Sequence, residues 1–248
     1  MPDDLEHSHT REAIARRLSQ THSHNYLSDA VYGAIDGTVT TFAVVSGVAG
    51  AALPAEIIVI LGLANLVGDG FSMAASNYLG TRTDDQLLEK ARVMERRHIQ
   101  LDPEGEREEI RQIFAKKGFS GEQLESVVAT ITSDDEQWIR TMLTDELGLQ
   151  PSTPSAIRAA SMTFVAFILV GMIPLISFLV QLFVEMSVGA AYLASCVLTG
   201  IAFFSVGAAK SYFVEQRWFT SGFETLAVGG TAAGLAYAVG VMLRVIVP

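Results

Sequence analysis

The sequence predicts an all-α membrane protein of five transmembrane helices, with a polar helical insert between the second and the third. Three observations carry that prediction. Half of the 248 residues are apolar and only 18% are charged. Several runs long enough to cross a bilayer contain no charge at all or a single acid. Most of the negative charge is gathered in one block in the middle of the chain.

Two spans are free of Asp, Glu, Lys and Arg, from Ala159 to Val184 and from Met186 to Ala209. Each exceeds the roughly 20 residues that cross hydrocarbon. A third charge-free run, Thr225 to Leu243, ends at Arg244, whose long stem can reach the interface. The N-terminal half adds Ala30 to Pro54, interrupted only by Asp36, and Ile57 to Thr81, interrupted only by Asp69. A carboxylate in lipid is costly, so these two acids carry information. The first 28 residues are polar and of mixed charge, which argues against a cleavable signal. The single Cys196 permits neither a disulfide nor a thiolate metal site within one chain.

Orientation follows from the basic residues of the short connections. Arg11, Arg16 and Arg17 precede the first span, and Lys210 and Arg217 separate the fourth from the fifth. The connections around Glu56 and Glu185 hold no Lys or Arg. The N-terminus and the insert are therefore expected in the cytoplasm. This divides the chain into a tail (1–28), two spans (29–81), the insert (82–150) and three spans (155–248).

From Asp84 to Gln150 the insert has sixteen acids against nine Lys and Arg, a net of minus seven. That balance repels nucleic acid and favours cations. No helix breaker stands between Tyr78 and Leu101, so the second span is expected to continue out of the membrane. Asp102 before Pro103 starts a helix that Gly118 ends, Ser120 with Gln123 starts a second, and Ser133 with Glu136 starts a third that stops at Gly148. Leu124, Val127, Val128 and Ile131 share one face of the second, and Trp138 reads as core. Pro151, Ser152, Thr153 and Pro154 form a linker into the third span.

Asn65, Asp69 and Met73 lie four apart in the second span and share a face. Together they offer an amide oxygen, a carboxylate and a thioether. That set suits a transient path for a divalent transition metal, with the sulfur adding preference against Mg²⁺ and Ca²⁺. Alternatively, Asn65 and Asp69 bond to neighbouring helices while Met73 fills a gap. Asp36 lies two turns inside the first span, between Gly33 and Gly37, whose spacing lets another helix approach closely. Desolvation disfavours its ionised form and a cation restores it, so metal and proton compete there. In the insert, Glu95 and His98, Glu106 and Glu109, and Met142 and Glu146 are spaced to share a face. A charged helix also yields such pairs as an ordinary solvated face. His7, His9, His22 and His24, in the tail, offer at most weak capture of metal.

These residues sit in stretches that carry a resemblance: DAVYGAIDGTVTTFAV from Asp29 to Val44, GLANLVGDGFSMAASNYLG from Gly62 to Gly80, and WIRTMLTDELGL from Trp138 to Leu149. From about Asn25 to its end the chain resembles the vacuolar iron transporter family. The resemblance implies a homodimer of five-span subunits that moves Fe²⁺ or a related metal out of the cytosol against protons. It implies a membrane route through Asp36 and Met73. It also implies a cytoplasmic collecting set at Glu95, Glu106, Glu109, Met142 and Glu146.

Two positions depart from the family's plant members, where both carry glutamate. His98 remains a competent ligand for Fe²⁺, Mn²⁺ or Zn²⁺, which leaves the site usable with altered selectivity. Asn65 removes an intramembrane charge that Asp69, one turn on, would supply.

The expectation is thus a secondary transporter that is not an enzyme and holds no tightly bound cofactor. Its cargo would be Fe²⁺ or Mn²⁺, with Zn²⁺ and Co²⁺ as further candidates. A bacterial member would occupy the plasma membrane and a eukaryotic one the vacuolar membrane. A di-iron enzyme of the ferritin type would use Glu95-x-x-His98, but needs that element twice, and the other histidines are all in the tail. A channel or sensor would need a similar polar route.

Overall fold

The computed structural model describes residues 8–19, 25–150, 154–214 and 216–246. His7, His22 and His24, and the linker residues Pro151, Ser152 and Thr153, lie outside them. Among the described residues the regular elements are all helices, with no strand. After a short exposed helix α1 (Arg11–Ser19) come α2 (Leu27–Gly50) and the long α3 (Ala55–Leu101). Three short polar helices follow, α4 (Pro103–Lys116), α5 (Gly121–Ile131) and α6 (Asp135–Thr141). The chain then returns through α7 (Ala156–Gly171), α8 (Ile176–Gln181), α9 (Val188–Val214) and α10 (Trp218–Ile246).

Five segments are long and apolar enough to cross a membrane: α2, the first half of α3, α7 with α8, α9 and α10. In the apolar bundle α2 packs on α7 and α10, α3 on α7, and α9 on α10. Small residues let them meet. A Cβ on Gly33 would lie 2.2 Å from the Thr163 carbonyl oxygen, and one on Gly37 would lie 2.5 Å from that of Phe167. The helix that the Gly33/Gly37 spacing admits is therefore α7. Val45, Ile58, Leu66, Phe167, Leu175 and Phe178 form the core of the bundle.

Four boundaries differ from the sequence reading. The third span is one charge-free run, yet it breaks after Gly171 into a 3₁₀ turn at Ile173–Leu175. Pro174 has no N–H to continue the helix, and its carbonyl accepts a hydrogen bond from Ser195 Oγ at 2.6 Å. The first span ends at Gly50 rather than Pro54, because Ala52 turns into the left-handed region at φ 55°. The fifth begins at Trp218, seven residues before its charge-free run. Glu224 is accommodated on an exposed face, 3.9 Å from Lys210 Nζ. Finally, Asp134 caps α6 in place of Ser133, its Oδ1 accepting from the N–H groups of Glu136 and Gln137 at 2.9 and 3.1 Å. Its carboxylate meets two open N–H groups and the positive helix end, while Ser133 Oγ donates to the Thr130 carbonyl. At α5, Ser120 takes the cap position, but its side chain makes no capping bond.

The polar half of α3 and helices α4 to α6 enclose cores of their own. Ile110, Leu124, Val128, Ile131, Trp138 and Met142 form one, and Leu88, Ala91, Ile139 and Leu143 a second. The expected apolar face of α5 is the part of α5 that enters. Lys117 Nζ pairs with Asp145 at 2.6 Å and Arg96 with Glu136 at 2.6 Å, tying the rim together.

Candidate metal centre and membrane path

Glu95, His98 and Glu106 come together at the corner between α3 and α4. Glu95 and His98 are one turn apart on α3, and the Asp102–Pro103 corner folds α4 back so that Glu106 faces them. Asp102 Oδ1 caps α4 by accepting from Gly105 N at 3.0 Å, which fixes the start of the helix and so the direction of Glu106. One ligand atom from each of the three residues lies within 4.8 Å of the other two. His98 Nδ1 is 3.3 Å from Glu106 Oε1.

Burial divides the group. Glu95 and Glu106 are 2% and 6% exposed, whereas the His98 side chain is 48% exposed. The Oε2 atoms of both glutamates are buried without a hydrogen-bond partner among the described residues. A buried unpaired carboxylate oxygen is unfavourable unless protonated or neutralised by a cation. The carboxyl of Glu106 is pushed up to about 7 by burial first, then by the charges of Glu109 and Glu95. Glu95 is raised by burial, then by Glu146, and Glu146 by burial, then by Glu109. His98 lowers all three. Glu109 and Glu146, both exposed, thus belong to the same electrostatic group as the buried pair.

Glu146 ends a π-helical turn, Met142–Glu146, closed by the Leu147 N–H on the Met142 carbonyl at 3.1 Å. Met142 is fully buried in the apolar core with Ile110 and Trp138. Such turns recur at functional sites, and this widened one holds residues four or five apart on one face.

Within the apolar bundle, Asp36 is half-buried on α2 and Asp69 lies on α3. Asn65 Nδ2 donates to the hydroxyls of Thr40 and Thr41 at 3.3 and 3.4 Å, so Asn65 bridges to α2. Met73 packs against the bundle core. Asp69 is exposed, and its side of α3 is the one that carries Asn65 and Met73, with Val67 and Phe71 turned about 200° away from it.

One more polar node was not anticipated. Asn77 Nδ2 donates to Asp29 Oδ1 at 2.8 Å and to Thr163 Oγ1 at 2.7 Å, and Thr81 Oγ1 donates to Asn77 Oδ1 at 3.3 Å. This joins α2, α3 and α7 at the end of the bundle nearest the polar helices. Extending the Asn65, Asp69, Met73 series by one further step of four reaches Asn77.

The sequence model of the VIT family matches residues 27–241. The chain belongs to the VIT family. Among its relatives is a vacuolar iron transporter of Toxoplasma gondii, 31% identical over 94% of this chain and 82% of the relative. Vacuolar iron transporter 1 of Arabidopsis thaliana is 29% identical over 84% of this chain and 82% of its own length. A vacuolar iron transporter of Plasmodium berghei is 25% identical over 96% and 89%. This VIT family chain is thus similar along nearly its whole length to proteins named as transporters rather than enzymes.

Proposed function

We propose that this protein is a multi-pass secondary transporter that moves Fe²⁺, and with it Mn²⁺ or a related divalent metal, out of the cytosol in exchange for protons. The observation that carries the reading is α3. One unbroken helix holds Glu95 and His98 of the three-residue cluster at its polar end and Asn65, Asp69 and Met73 in its apolar half. Glu95, His98, Glu106, Glu109, Met142 and Glu146 gather the ion on the cytoplasmic side. It then passes between α2 and α3, where Asp36 and Asp69 exchange it for protons and Met73 offers a soft ligand. The metal is cargo, and no resident cofactor is assigned.

The working unit in this reading is a homodimer. An exposed Asp69 within an apolar span is costly against lipid, and a second copy laid on its side of α3 encloses it. The basic residues of the short connections place the N-terminus and the polar helices in the cytoplasm. The membrane is the vacuolar one in a eukaryotic cell, as in the relatives' names, and the plasma membrane in a bacterium.

The test is Fe²⁺ and Mn²⁺ uptake into proteoliposomes with and without a pH gradient. Wild type is expected to transport only when protons can move the other way. Asp36→Ala and Asp69→Asn are each expected to reduce the rate by about tenfold or more, the loss usual for a group acting on the moving charge. Flux independent of the proton gradient would mark a channel instead, and full activity in Asp36→Ala would remove that residue from the path.

A further inference from the structure

The three-residue cluster is chemically mixed. Glu95 and Glu106 present carboxylate oxygens from a buried floor, and His98 presents an imidazole nitrogen from the exposed rim. We propose that His98 sets the metal preference of this cluster, turning it from Mn²⁺ toward the borderline ions Co²⁺ and Zn²⁺. The inference rests on the reading of the cluster as the collecting site and adds which cargo it favours.

Carboxylate sites suit Mg²⁺, Ca²⁺ and Mn²⁺, whereas imidazole suits later first-row metals, and intrinsic affinity for a mixed site rises from Mn²⁺ through Fe²⁺ to Co²⁺. The imidazole is positioned to act as a ligand, because Nδ1 is 3.3 Å from Glu106 Oε1 and so points at the space the carboxylates share. The Oε2 atoms of Glu95 and Glu106 are buried without a hydrogen-bond partner among the described residues, a deficit that a bound cation would neutralise. Being neutral, a ligating imidazole adds a donor atom without adding to the negative charge of the acids. That removes part of the purely electrostatic advantage a third carboxylate would give a hard ion. Its exposure also means that replacing His98 disturbs little packing.

The experiment is equilibrium dialysis of the purified full-length protein with MnCl₂, CoCl₂ or ZnCl₂ singly. An Asp36→Asn, Asp69→Asn background silences the membrane carboxylates. His98→Glu and His98→Gln are expected to lower the ratio of Co²⁺ to Mn²⁺ affinity by about tenfold or more, the scale on which coordination changes act. His98→Glu should keep or strengthen Mn²⁺ binding. His98→Gln keeps a neutral hydrogen-bonding side chain, so its loss of preference separates ligation from a merely structural contact with Glu106. A ratio unchanged in both variants, with binding lost in Glu95→Gln/Glu106→Gln, overturns the role of His98 and leaves the collecting site standing. Wild-type binding in that double variant overturns the collecting site and this inference together.

Discussion

A carboxyl buried as deeply as Glu106, with three other acids around it, keeps its proton into the neutral range. Its ordinary value is 4.5 and its folded value about 7, so the folded chain holds the proton more tightly than the unfolded one. The resulting stabilisation is complete below about pH 4.5 and is lost as the pH rises through 7. The melting temperature of the metal-free protein, followed by circular dichroism in the presence of a chelator, is therefore expected to fall between pH 5 and 8. Glu106→Gln should flatten that fall, because the amide cannot ionise, with Glu95 and Glu146 supplying a residual slope. A slope as steep in Glu106→Gln as in wild type would contradict this. The same proton obstructs a cation, so under the proposed function the cluster fills most readily where the pH is at or above neutrality.

Among the helices, the decisive contacts are polar joints inside an apolar bundle. Asn77 binds Asp29 and Thr163 at once, so one amide fastens α3 to both α2 and α7. Asn77→Leu is expected to cost about 2 kcal/mol, the scale of a lost hydrogen bond to a charged group. Thermal unfolding in detergent would read it, with Thr163→Ala expected to show a smaller loss, and an unchanged midpoint in Asn77→Leu would deny the joint its weight. The sequence displayed the ingredients of this joint but not their meeting. Period-four spacing on α3 was legible, whereas the partner of Asn77 is 48 residues away and the choice depends on how α2 and α3 cross. The same holds for the cluster of Glu95, His98 and Glu106. The Glu95 and His98 pair follows from one turn of helix, but Glu106 joins it only because the Asp102–Pro103 corner reverses the chain. Charge-free runs likewise located the spans and missed their ends, since Pro174 breaks a helix without carrying charge and Glu224 carries charge without breaking one.

At the scale of the whole molecule, α3 connects the apolar bundle core to the two smaller cores of the polar helices. At 1.5 Å per residue its 47 residues extend for about 70 Å. A straight α-helix is torsionally stiff, so the angular setting of Glu95 about the axis is fixed relative to that of Asp69. The two stations therefore share a phase as well as a polypeptide. One residue inserted between Thr83 and Asp84 would turn everything beyond it by about 100°, and four residues by about 40° net. Metal binding by the cluster should survive both insertions, since its residues turn together. Transport in proteoliposomes should fall sharply with one inserted residue and recover in part with four. Equal rates in the two would mean that the ion travels between the stations through open water, indifferent to the shaft that joins them.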